Sequence, residues 1–139
     1  MSRTHARVTS LQLTEAECWD LVRASTIGRL AFHHPDGIKV VPVSYVLDSQ
    51  DVIIRTSPAG LASHAVDAED VAFEVDDYNT TTGNGWTVLS NGSVAALSET
   101  EHESPQLPTP PTPWAEGNRS LSLRFTAQAI DGRRVQRRP

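Results

Sequence analysis

Between residues 28 and 89 the chain returns repeatedly to short runs of β-branched, aromatic and small apolar residues: Gly28-Arg29-Leu30-Ala31-Phe32, Pro42-Val43-Ser44-Tyr45-Val46, Val52-Ile53-Ile54-Arg55-Thr56-Ser57, Val71-Ala72-Phe73-Glu74-Val75-Asp76-Asp77 and Gly85-Trp86-Thr87-Val88-Leu89. Turn-forming residues stand between several of them, at Pro35-Asp36-Gly37, Asp48-Ser49-Gln50-Asp51 and Asn91-Gly92. Runs this short fit strands better than helices, and tight connections between them predict an antiparallel sheet. The period confirms the element type. Leu121, Leu123 and Phe125 alternate with Ser122, Arg124 and Thr126, and Val71, Phe73 and Val75 with Ala72, Glu74 and Asp76, each giving one buried and one outward face. Val52-Ile53-Ile54 is apolar on both faces, as a central strand would be.

One helix precedes the strands. Thr14-Glu15-Ala16-Glu17 fits a capping box, a hydroxyl at the cap and a carboxylate three positions later. Cys18, Trp19, Leu21 and Val22 follow at helical spacing, and the pattern stops near Ser25-Thr26-Ile27-Gly28. Trp19 and Cys18 are therefore expected in the core. Residues 1–12 read as a flexible N-terminal arm, 13–135 as a single domain and 136–139 as a basic tail. A short second helix is expected over 61–69, and the proline-rich stretch 99–118 as a long surface loop, either a spacer or a lid carrying Trp114.

A chain of 139 residues suits one domain with its own core. With aromatic residues at only 6% and nine prolines, that core must come mainly from Val, Ile, Leu and Ala, which favours a β-rich fold. The net charge of −5 argues against nucleic acid as a partner, because phosphate-backbone binding needs a concentrated basic surface. The arginines at 133, 134, 137 and 138 form no extended face. Cys18 is a lone cysteine, no run approaches the roughly 20 apolar residues of a membrane span, and the first residues lack a secretory apolar stretch. A cytoplasmic location without membrane contact is the expectation.

Several chemistries leave no signature here. There is no glycine-rich dinucleotide loop, no Cys/His metal spacing and no Gly-x-Ser-x-Gly elbow. His33 and His34 are adjacent, so in a strand they point to opposite faces and are poorly placed to share a metal; no metal site is expected. What remains is Arg55-Thr56-Ser57, a guanidinium and two hydroxyls at a strand end before Gly60. By local chemistry it is either a solvated turn or an anion site assisted by the amides of a following helix.

In order and content these blocks, together with Pro113-Trp114-Ala115-Glu116-Gly117 and Ile130-Asp131-Gly132-Arg133-Arg134-Val135, resemble the pyridoxamine 5'-phosphate oxidase-like family. The resemblance implies a mainly β fold with short helices: a six-stranded split barrel with an N-terminal helix, forming a homodimer with flavin mononucleotide (FMN) at the subunit interface. Carried over by position, it implies that Val43, Ser44 and Tyr45 run beside the flavin ring. Arg55, Thr56 and Ser57 would lie toward the phosphate, with Trp86 and Thr87 approaching from a neighbouring strand. The implied activity is that of an FMN-dependent oxidoreductase on a small molecule. The apolar strands Val40–Val46 and Trp86–Leu89 would be covered by the second copy.

One departure bears on the cofactor. After Gly60, where relatives carry a hydroxyl or basic residue and then lysine, this chain has Leu61-Ala62. Loss of one charge-assisted contact costs about 1.5–3 kcal/mol, roughly ten- to a hundred-fold in affinity. Alternatives are therefore the deazaflavin F420, haem with His64 ahead of His33 and His34, or a cofactor-free dimeric scaffold. Oxidation of pyridoxamine phosphate itself is not expected, because the chain has a single lysine, Lys39, and few central basic residues to hold a substrate phosphate.

Overall fold

The computed structural model describes residues 7–98 and 121–138. The proline-rich stretch, Trp114, His5 and His102 lie outside these residues. Strands β1 (Arg7–Gln12), β2 (Ile27–His34), β3 (Gly37–Asp48), β4 (Asp51–Thr56), β5 (Val71–Asn79), β6 (Asn84–Ala96) and β7 (Leu121–Arg138) form one antiparallel sheet in the order β1-β7-β4-β3-β2-β5-β6. A further β6–β7 pairing curls it into a ring. Each of the five sequence runs falls on a strand, and only Ser57 lies one residue past the end of β4.

Helix α1 (Glu15–Ala24) starts as its sequence dictates. The Thr14 side-chain oxygen accepts from the Glu17 amide at 3.2 Å, and the Glu17 carboxylate accepts from the Thr14 amide at 2.9 Å. Hydrogen bonding of the Glu17 carboxylate to the Thr14 amide first, and to the Thr14 side chain second, holds that carboxyl below its ordinary value. The helix buries Cys18, Trp19 and Val22. The expected second helix is a 3-10 helix over Leu61–Asp67, burying Ala62 and Ala65.

β7 organises the ring. Its first residues pair with β4 (Ile54 opposite Leu123, Val52 opposite Phe125), and β6 runs along it from Gly85–Val135 to Ala96–Leu123. Its last six residues pair with β1, from Gln12–Arg133 to Arg7–Arg138. Residues 7–12 are thus a seventh strand rather than part of a flexible arm, and residues 136–138 are strand rather than tail. The first segment is short with little apolar alternation and the second is short and basic, and each finds its hydrogen-bonding partner in β1–β7 pairing. Asn91-Gly92 is not a turn either: it lies inside β6, where the register with β7 shifts. The β5–β6 reversal comes earlier, at Asn79–Asn84, with Gly83 at φ +73°.

The core fills the ring. Leu30, Val52, Ile54, Phe73, Val75, Val88, Leu123 and Phe125 are each at most 1% exposed. Phe73 sits at the centre, edge-on to Tyr45 at 5.1 Å between ring centroids and tilted against Phe125 at 5.7 Å. At the outer surface Arg124 bridges Asp48 at 2.9 Å and Asp51 at 2.7 Å, fastening the β3–β4 hairpin to β7.

Candidate functional site

Alternation along β3 separates the three residues expected beside a flavin. Val43 pairs with Gly28, and it and Tyr45 belong to the core. The Tyr45 hydroxyl donates to the Val22 carbonyl, and burial pushes its pKa up. Ser44 lies between them on the opposite face. It is 4% exposed, and its hydroxyl oxygen has no hydrogen-bond partner among the described residues. A buried hydroxyl left unmatched costs free energy that a ligand polar atom or a water recovers.

The β3–β4 register, with Tyr45 opposite Ile54, brings Arg55 beside Ser44 on that same face. Ile54 and Thr56 are buried by the same alternation. After β4 the chain folds back on itself. The Ser57 carbonyl accepts from the Gly60 amide at 2.9 Å, the Ser57 hydroxyl from the Ala59 amide at 3.3 Å, and the Gly60 carbonyl from the Ser63 hydroxyl at 2.6 Å. Leu61 is exposed and Ala62 is 2% exposed in the core, so neither position offers a cation.

Trp86 and Thr87 also part company. Val88, Ser90 and Val94 face inward along β6, so Trp86 is on the inner side, half-buried against the core, and Thr87 is exposed outward. Across the ladders Trp86 faces Asp77 and Arg134, whereas Thr87 faces Asp76 and Arg133. The structure therefore gathers Ser44, Arg55 and Thr87 on the outward face of the sheet, and Val43, Tyr45, Thr56 and Trp86 on the inward face. The histidine of the haem alternative, His64, is exposed with its ring edge-on to His34 at 4.9 Å, and His34 Nδ1 accepts from the Asp36 amide at 3.2 Å.

The outward face carries a group the sequence reading did not connect. Ile27, Ile38, Val40 and Leu89 are 41%, 75%, 60% and 42% exposed, and cross-strand pairing puts them on one side of the sheet with Ala31, Ala72 and Pro42. Among them the Arg29 guanidinium lies 3.0 Å from the Glu74 carboxylate and 3.3 Å from that of Asp76. Partial burial is the main reason that the Glu74 pKa rises to about 7, followed by the hydrogen bond and charge of Asp76, with Arg29 opposing. Alternation alone marks Glu74 and Asp76 as outward. That they meet Arg29 depends on the β2–β5 register, Arg29 opposite Glu74.

This cluster makes stability depend on pH. The folded-state pKa of Glu74 is raised above the ordinary value of 4.5, so the folded chain holds a proton that the unfolded chain releases. Stability is then lost as pH rises from about 4.5 through about 7. A shift of that size corresponds to about 3 kcal/mol, and solvent screening at a partly exposed site reduces it to about 1 kcal/mol. Glu74→Gln is expected to melt progressively higher than the parent from pH 5 to pH 8 and to match it near pH 4. A melting difference that stays constant across that range contradicts the assignment.

The pyridoxamine 5'-phosphate oxidase family model matches residues 14–134. No curated protein matches the chain. Among solved structures, an FAD binding protein from Mycobacterium smegmatis is similar over 91% of this chain and 98% of its own, with 24% identity and a TM-score of 0.68. An FAD-binding protein from Mesorhizobium loti is similar over 94% and 99%, with 16% identity and a TM-score of 0.73. An FAD and haem binding protein from M. smegmatis is similar over 87% and 71%, with 9% identity and a TM-score of 0.62. At these identities the likeness is one of fold. Among the described residues no helix is long and apolar enough to cross a membrane.

Proposed function

The chain belongs to the pyridoxamine 5'-phosphate oxidase family, and from that premise we propose that it is a flavoprotein oxidoreductase that binds FMN on the outward sheet face and acts on a small molecule. The observation that carries the reading is the unmatched, buried Ser44 hydroxyl beside Arg55, on the strand pair where the resemblance to the family implies a cofactor. Ser44 can hydrogen-bond a heteroatom of the flavin ring, and Arg55 can serve the phosphate. Ile27, Val40, Pro42 and Leu89 supply an apolar surface for a planar ring and for a second copy of the chain. A bound flavin supplies the electron chemistry, and the protein supplies binding, orientation and exclusion of water.

The residues fit such a group with one weakness, the apolar Leu61-Ala62 pair, which puts the anionic end of the ligand in the charge of Arg55. Saturating FMN is expected to raise the melting temperature and quench flavin fluorescence, and Arg55→Gln to weaken the affinity about ten- to a hundred-fold. Absence of any response to FMN in the parent protein would reject the flavin reading. The exposed ring of His64 and the fold likeness to an FAD and haem binding protein favour haem as the second reading. A Soret band lost in His64→Ala would select it.

A further inference from the structure

Beyond the flavin reading, and on the other face of the sheet, we infer that the cleft beside Trp86 is a small-molecule site for a planar aromatic ring carrying an anionic group at one edge and an N–H donor at the other. The cleft is lined from β5, β6 and β7, by Asp77 and Asn79, by Asn84 and Trp86, and by Arg134 and Gln136. Its volume is about 160 Å³. That is below the roughly 300–1,000 Å³ of pockets for drug-sized ligands and suits a single ring.

Its walls are set by register. Asp77, Trp86 and Arg134 sit side by side on three neighbouring strands, with the half-buried indole between the carboxylate and the guanidinium. The two charges are thus held one strand apart from the aromatic platform on either side, instead of meeting each other. Among the described residues neither forms a salt bridge. The charge of Arg134 is felt at Glu17, but only as the weakest influence on that carboxyl.

Side-chain amides complete the chemistry. The Asn79 side-chain oxygen accepts from the amides of Thr81 at 2.9 Å and Thr82 at 3.0 Å, and the Asn84 side-chain oxygen accepts from the Arg137 amide at 2.9 Å. Both oxygens are committed to backbone N–H groups, so the part each side chain can still offer is its NH2. The cleft therefore presents donors from Arg134, Asn79 and Asn84, the Gln136 amide as both donor and acceptor, an aromatic face from Trp86 and one anionic acceptor, Asp77. Donors of that number call for an anion on the ligand. The indole calls for a flat ring. Asp77 rejects a second negative charge at the far edge and welcomes an amine or ring N–H.

The probe with this pattern is 4-aminobenzoate. Titration of the full chain, followed by backbone and indole amide NMR shifts, is expected to give saturable binding with Kd about 0.1–1 mM, centred on Gly85 and the Trp86 indole. Arg134→Gln is expected to weaken it at least about ten-fold, while Arg134→Lys retains part of the affinity. Terephthalate, with a carboxylate at both edges, is expected to bind more weakly than 4-aminobenzoate. The inference is overturned if no saturable shift appears by about 10 mM, if a folded Arg134→Gln variant binds equally well, or if terephthalate binds as tightly. It is also overturned if FMN displaces the probe one for one, because the cleft would then be part of the flavin site. Failure of FMN to bind at all leaves this result standing, so the two readings are separable.

Discussion

Replacing Gly92 with alanine is expected to destabilise the chain by about 3–5 kcal/mol, a large part of the roughly 5–15 kcal/mol that holds a domain folded. A Cβ at this position would stand 2.0 Å from the Thr126 carbonyl oxygen and 2.9 Å from its carbon. Both atoms belong to backbone, so no rotamer change makes room. The clash occurs where β6 and β7 lose register, Asn91 facing Ala129 and Gly92 facing Ala127. That seam closes the ring, and relief requires the two strands to separate there. An ordinary Asn-Gly turn would cost only about 1 kcal/mol on the same substitution. Urea unfolding followed by tryptophan fluorescence distinguishes the two, and a loss near 1 kcal/mol would refute the close-approach argument.

Truncation of Phe73 to alanine is expected to cost a similar 3–5 kcal/mol. The ring is 1% exposed and touches the rings of Tyr45 and Phe125, so its removal opens a cavity at the junction of β3, β5 and β7. It also depends on Gly28. A Cβ on Gly28 would lie 2.7 Å from two Phe73 ring atoms and 3.0 Å from the Glu74 carbonyl oxygen. The two positions should therefore couple. Gly28→Ala is expected to be markedly less costly in a Phe73→Leu background than alone, with an interaction energy of about 1–2 kcal/mol in a double-mutant cycle. Strict additivity would mean that the Glu74 backbone, not the ring, sets the limit at Gly28.

These two sites show how far sequence reasoning reached. Phe73 was legible as core because Val71, Phe73 and Val75 keep a strict period of two. Gly28 was legible as the stop of a helix and the head of a strand run, but its service to Phe73 comes from β2 lying against β5. The candidate site divides in the same way. Ser44 and Arg55 are 11 residues apart in sequence, and the β3–β4 hairpin, whose turn is written in Asp48-Ser49-Gln50-Asp51, joins them. Separating Trp86 from Thr87 required only the alternation already applied to His33 and His34. The Arg29–Glu74–Asp76 cluster had no local signal, because its members are 45 and 47 residues apart.

The sequence by itself determined the element types and most of their spans. Period, capping chemistry and turn residues act over a few positions, and each is decided by sterics and hydrogen bonds within the segment. It also determined which side chains share a face within one strand. Only the tertiary structure decided which strands meet and in what register. That choice turned residues 7–12 and 136–138 into a strand pair, made Gly92 a point of backbone contact, set Arg29 against two carboxylates and held Asp77, Trp86 and Arg134 in one row. The physical reason is that one β-strand can hydrogen-bond many others equally well, and burial of the whole apolar face at once selects the pairing.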